Sequence, residues 1–157
     1  MTLLSWSPEY SIGNDLVDSE HEHLFLLVNS FHSHWQEAHD RHTIARLLTL
    51  LVAYAETHFQ HEEQVMEAAG FPDLEEHRQV HSRMVDTIFA LQQSFEDGSL
   101  RLEMETMKFI KSWLLEHILQ ADYRFRDFLA KKKTVVETAP QPPTAKADEQ
   151  SVETTQQ

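Results

Sequence analysis

The chain has 157 residues, enough for one domain, with 26 acidic against 13 basic side chains and a formal net charge of −13. That balance argues against binding a nucleic-acid backbone, which draws its affinity from basic patches, and against an anionic membrane surface. The absence of cysteine excludes disulfides, thiolate metal sites and cysteine nucleophiles, whereas the eleven histidines raise the question of whether they are organised as ligands.

The opening MTLLSWSPEY has neither the basic stretch nor the apolar run of an export signal, so a cytoplasmic protein is expected. No segment approaches the ~18–20 apolar residues of a membrane span, so no membrane insertion is expected either. Up to about Val17 the chain reads as an irregular arm, punctuated by Pro8, Gly13 and Asn14 and anchored by Trp6. From Asp18, read as an N-cap, apolar residues recur at Leu24, Leu27, Val28, Phe31 and Trp35, which is helical spacing. A second helical pattern follows the polar stretch 39–42, through Leu47, Leu51, Tyr54, Phe59 and Met66, to a stop at Gly70 and Pro72.

Asp73 opens a third helix, with Glu76 as an acidic capping-box partner and a stripe from Leu74 through Met84, Ile88 and Phe95. Ser99 opens the fourth, with Leu102, Ile110, Trp113, Leu114, Phe125 and Phe128. Short loops between four such helices predict an all-α, up-down-up-down four-helix bundle over residues 1–131. The remainder, 132–157, has no aromatic residue and holds Pro140, Pro142 and Pro143, so it is read as a disordered tail.

Certain polar residues fall on the apolar stripes. His58 and Glu62 continue the inward face of the second helix, and His77 and His81 that of the third. Four residues apart, each pair is offset by ~40° and ~6 Å, so both members can reach one point. His117 and Asp122, five apart, differ by ~140° on an ideal helix and are expected to approach a site from two sides. His21 lies three residues before Leu24 at the start of the first helix. Bundle topology brings all seven groups into the same half of the domain.

Unpaired burial of that many polar groups costs roughly 1–3 kcal/mol each, a load a domain stable by ~5–15 kcal/mol cannot carry. Metal coordination is the compensation that fits five imidazoles and two carboxylates. The other six histidines, His23, His32, His34, His39, His42 and His61, are expected in solvent, with His61 the one placed to support a ligand from behind.

A metalloprotease HExxH is missing, since His21-Glu22 is followed by Phe25, and a ferritin-type site needs a second ExxH beside Glu20–His23. Ligand softness alone leaves iron, zinc or copper. In order, spacing and type, His21, His58xxxGlu62, His77xxxHis81 and His117xxxxAsp122 resemble the hemerythrin family over about residues 6–128. Trp6, His58-Phe59, Glu62-Glu63, Phe71-Pro72, Trp113-Leu114 and His117-Ile118 agree with it, and the single domain with its arm looks most like the bacterial members. Glu20 departs from the pattern, standing where a glutamine is expected.

The resemblance implies two iron ions (Fe2+/Fe3+), carboxylate- and oxo/hydroxo-bridged, in a non-haem centre. Glu62 and Asp122 would bridge, with His77, His81 and His117 on one iron and His21 and His58 on the other. It also implies reversible dioxygen binding, for storage, transport or delivery, rather than an enzyme, with Phe59, Trp113, Leu114 and Leu119 lining the oxygen pocket. The alternatives are a di-iron enzyme reducing peroxide or nitric oxide, an oxygen sensor and an iron-handling protein. A monomer is expected, with dioxygen as ligand and an oxygen-consuming protein as the compatible partner.

Overall fold

The computed structural model describes residues 2–38 and 40–138. A 3-10 turn at Pro8–Tyr10 precedes α1 (Asp15–Gln36), α2 (Arg41–Ala69), α3 (Leu74–Glu96) and α4 (Met104–His117). A π-helical turn, Ile118–Asp122, joins α4 to α5 (Tyr123–Thr138), so these three make the fourth rod of a four-helix bundle. α1 packs on α2 and α4, and α2 on α3. The Trp113 indole closes the gap between α3 and α4 by donating to the Met84 carbonyl over 3.2 Å. Among the described residues no helix is long and apolar enough to cross a membrane.

Several boundaries differ from the sequence expectation, each for a local reason. Asn14, not Asp18, caps α1 by accepting from the Val17 N–H. The Asp18 carboxylate is instead taken by the Ile12 N–H and the Ser11 hydroxyl, which ties the arm to the bundle. Asp73 precedes α3 as expected but makes no side-chain cap; it and Glu76 both bind Arg124, at 2.8 and 3.0 Å. α4 starts at Met104 rather than after Ser99, because Glu103 and Thr106 form the capping box. The expected stop at Gly70 is present, with φ of 73° and the Phe71 N–H closing back on the Met66 carbonyl.

The arm is well anchored. Asn29 accepts from the Leu3 and Leu4 N–H groups and donates to the Leu4 carbonyl, while Trp6 packs edge-on against Phe25. At the other end, α5 continues to Thr138, past position 131. Lys132 secures this extension by donating its ammonium to the Ala69 carbonyl at the end of α2. The rest of the expected tail, 139–157, lies outside the described residues.

The core comes in two parts. A large apolar cluster includes Leu24, Phe25, Phe59, Met84, Trp113, Leu114 and Ile118. A smaller one holds Ile12, Val17, Met66, Phe71 and Phe125. Along the rods the switch between clusters occurs across the polar positions singled out from the sequence. On α1, His21 falls between Val17 and Leu24; on α2, Glu62 falls between Phe59 and Met66. Two apolar clusters thus enclose one buried polar layer.

Candidate metal centre

That layer holds all seven residues expected from the sequence, each at most 6% exposed. Ligand-type atoms fall into two groups. Glu62, His77, His81, His117 and Asp122 form one, and His21, His58 and Glu62 the other, each with its atoms within 4.8 Å of one another. The first group holds three histidines and the second two.

Both carboxylates face both groups. Glu62 Oε2 is 2.9 Å from His81 Nε2 and 3.1 Å from His77 Nε2, while its Oε1 is turned towards His21 Nε2 at 3.8 Å. Asp122 Oδ1 lies 2.8 Å from His117 Nε2 and 3.3 Å from His77 Nε2, and its Oδ2 is 3.3 Å from His21 Nε2. Despite these short distances, His21 Nε2, His58 Nε2, Glu62 Oε1 and both Asp122 oxygens are buried without a hydrogen-bond partner. Orphaned lone pairs aimed at common points are what a cation satisfies. The His81 and His117 Nε2 atoms lie only 3.1 Å apart and face the same group. His81 Nδ1 is 2.7 Å from Glu63, and donating to that carboxylate leaves Nε2 of a neutral His81 as a lone pair.

Without a cation, protons balance the charge. Burial opposes ionisation of Glu62 and Asp122, but the surrounding histidines outweigh it and hold both carboxyls well below the usual range. Burial also opposes the His117 charge, yet Asp122 and Glu62 prevail and push its pKa up to about 10. His77 is raised by the same two carboxylates against its burial, whereas in His81 burial wins and the pKa is lowered.

The π turn explains how His117 and Asp122 meet. The expectation that they approach from two sides assumes a straight α-helix. Instead the Tyr123 N–H reaches back to the Ile118 carbonyl, five residues away, and the widened turn puts both side chains on one face. It absorbs one residue without turning α5 off the core. Deleting the exposed Gln120 is therefore expected to give plain α-helix, with ligands now four apart and metal binding retained. Deleting the exposed Ser112 from α4 removes a residue where nothing absorbs it, rotates the packed face by about 100° and is expected to abolish binding. Metal content of the two proteins distinguishes the cases; loss in both would contradict this role of the turn.

The surroundings bring corrections. Phe59, Trp113 and Leu114 are buried in the large cluster, and Phe59 stacks on the His81 ring at 4.1 Å between centroids. Leu119 does not join them. It is 42% exposed, because His117 and Ile118 occupy the inward arc of the turn and the next residue falls on the solvent side. His32, expected in solvent, is 4% exposed with both ring nitrogens unpartnered, and burial lowers its pKa. Its position four residues after Val28 on the α1 stripe is the signal for that burial.

Of the remaining histidines, His23 and His42 are exposed as expected, and His34 is half-buried against the Ser30 carbonyl. His39 lies outside the described residues. His61 does stand behind a ligand candidate, through Glu20, whose two oxygens meet His58 Nδ1 and His61 Nδ1. Burial works against the Glu20 charge, but these two hydrogen bonds dominate and lower its pKa. Sequence reasoning misses that Glu63 orients His81, a role that depends on how α2 faces α3.

Comparison with known proteins agrees with this geometry. Residues 12–129 match the family model described as the hemerythrin HHE cation binding domain. The bacteriohemerythrin of Methylococcus capsulatus is 29% identical, over 78% of this chain and 93% of its own length. That of Stenotrophomonas maltophilia is 30% identical over 81% and 82%, and the myohemerythrin of Riftia pachyptila 29% over 77% and 89%. Among solved structures, wild-type hemerythrin superposes with a TM-score of 0.72 at 28% identity, covering 80% of this chain and 96% of that one. A leucine-to-phenylalanine mutant reaches 0.75 at 26% identity, over 81% and 97%. With its fold, its buried histidine–carboxylate layer and a family match across most of its length, the chain belongs to the hemerythrin family.

Proposed function

We propose that the protein binds dioxygen reversibly at a di-iron centre held by His21, His58, Glu62, His77, His81, His117 and Asp122. The observation that carries this reading is the pair of carboxylates, each presenting one oxygen to a three-histidine group and the other to a two-histidine group. Five imidazoles and two carboxylates without a thiolate suit iron among borderline metals, and membership of the hemerythrin family favours it over zinc or copper. Two irons held by these residues would supply the two-electron chemistry that reversible dioxygen binding needs. Three histidines would hold one iron and two, His21 and His58, the other, so the two-histidine side would have the room to take a ligand.

The protein's own part is to hold the ligands rigidly and keep water away. Phe59 shields His81 by stacking, and Leu114 and Trp113 close the large cluster over the same end of the layer. Excluding water disfavours the proton delivery that turns reversible binding into oxidation. Leu114→Ala is expected to keep both irons, to cost about 2–5 kcal/mol of stability and to accelerate autoxidation. An unchanged autoxidation rate would remove Leu114 from the seal. The function itself is tested by exposing the reduced, iron-loaded chain to rising oxygen pressure. The expected result is a saturable visible band, one dioxygen per two irons, lost again on degassing. Irreversible oxidation at the first exposure would overturn it.

A further inference from the structure

Glu20 lies between two histidines and serves both. Its Oε2 is 2.8 Å from His58 Nδ1 and its Oε1 2.6 Å from His61 Nδ1. α1 supplies the carboxylate and α2 both rings, three residues apart and therefore one turn apart on one face. The three groups lead from solvent inward, with side-chain exposures of 41% for His61, 12% for Glu20 and 1% for His58.

The chemistry of this contact is one-directional. An ionised carboxylate only accepts, so each ring must donate its Nδ1–H. In a neutral His58 the lone pair then sits on Nε2. That atom is buried without a partner and belongs to the cluster with His21 and Glu62. We propose that Glu20, itself steadied by the exposed ring of His61, is the positioning residue that fixes His58 as its Nδ1–H tautomer and presents the Nε2 lone pair to the metal. The inference rests on the metal reading under Proposed function.

The other half of the centre is built differently. Glu63 plays the corresponding part for His81 at 2.7 Å, but its second oxygen is backed by the Arg78 guanidinium at 3.5 Å. The two-histidine half thus takes its support from a carboxylate shared between two imidazoles, and the three-histidine half from one shared with a fixed cation. A glutamine at position 20 cannot reproduce the shared arrangement. Its single amide oxygen can still serve His58 alone, whereas leucine, of similar size, removes the acceptor from both rings.

Two measurements on the full chain test this. In the metal-free protein above neutral pH, nitrogen-15 NMR of the histidine rings is expected to show His58 as the Nδ1–H tautomer. Glu20→Leu is expected to alter that signal while helical content stays the same. Titrated anaerobically with ferrous ion, Glu20→Leu is expected to bind at the two-histidine position about 10–100-fold more weakly, with the three-histidine position unaffected. His61→Ala leaves the His58–Glu20 bond in place and is expected to keep the tautomer.

An Nε2–H tautomer in the wild-type chain, or ferrous affinity unchanged in Glu20→Leu, would overturn the proposal. So would loss of the tautomer in His61→Ala, which would assign the effect to general loosening. Because the tautomer is read without metal, a missing bridge and a centre that binds no iron give different results.

Discussion

Glu62→Ala is expected to empty both metal positions at once, the largest effect of any single substitution in the chain. Glu62 belongs to both ligand groups, with Oε2 towards His77 and His81 and Oε1 towards His21. His117→Ala and His58→Ala each remove an imidazole from one side only. They are expected to lose iron beginning with the three-histidine and the two-histidine position respectively. Because truncating a buried charge surrounded by histidines also strains the fold, Glu62→Gln is the companion variant. It keeps the shape and one acceptor oxygen, and it is expected to fold as a helical bundle and still fail to load a pair of metals. Iron content per chain, measured beside far-ultraviolet circular dichroism, checks both. Two irons in Glu62→Gln, or normal iron in His58→Ala and His117→Ala, would sink the ligand assignment.

The second large effect is an opposite response to pH with and without metal. In the metal-free chain His117 holds its proton up to about pH 10, against an ordinary histidine value of about 6.5. Its stabilising contribution is therefore fully present below about 6.5 and is lost as pH rises through about 10. Glu62 and Asp122 have the reverse sense. Their depressed pKa values stabilise the fold above the ordinary carboxylate range, and that contribution is lost on acidification.

Metal needs the neutral imidazole, so loading must expel the His117 proton, and affinity should rise about tenfold per pH unit up to about 10 for that proton alone. Thermal melts of the metal-free chain are expected to weaken from pH 6 towards 10, while metal affinity climbs over the same interval. Calorimetric titrations in buffers of different ionisation enthalpy should show proton release at neutral pH. No release would contradict the charge assignment at His117.

Residues four apart on one helix are legible as ligand pairs from their spacing, because α-helical geometry by itself brings them together. His58 with Glu62 and His77 with His81 are of this kind. His117 and Asp122 are legible as candidates but not as neighbours, since nothing in ILQAD announces a π turn to a reading that assumes a regular helix. Capping is likewise ambiguous. Asp18 and Ser99 are good N-cap residue types, but the arm claims the first, and the second closes the end of α3 on the Ser94 carbonyl. The boundary at 131 follows from composition, and a single lysine reaching the end of α2 carries the helix past it. Leu119 shows the cost of placing a residue by resemblance without working out its angle around the helix. In the sequence Glu20 stands out as the start of an ExxH and as a departure from the family pattern. Its double role needs the distance between α1 and α2, which no sequence spacing contains.

The central claim is that seven side chains from four rods hold two iron ions. It is tested most directly by a crystal structure of the iron-loaded chain with anomalous scattering at the iron edge. The account predicts two peaks, one among His77, His81 and His117 and one beside His21 and His58, with Glu62 and Asp122 reaching both. A single peak, or iron bound anywhere other than this buried layer, would contradict it.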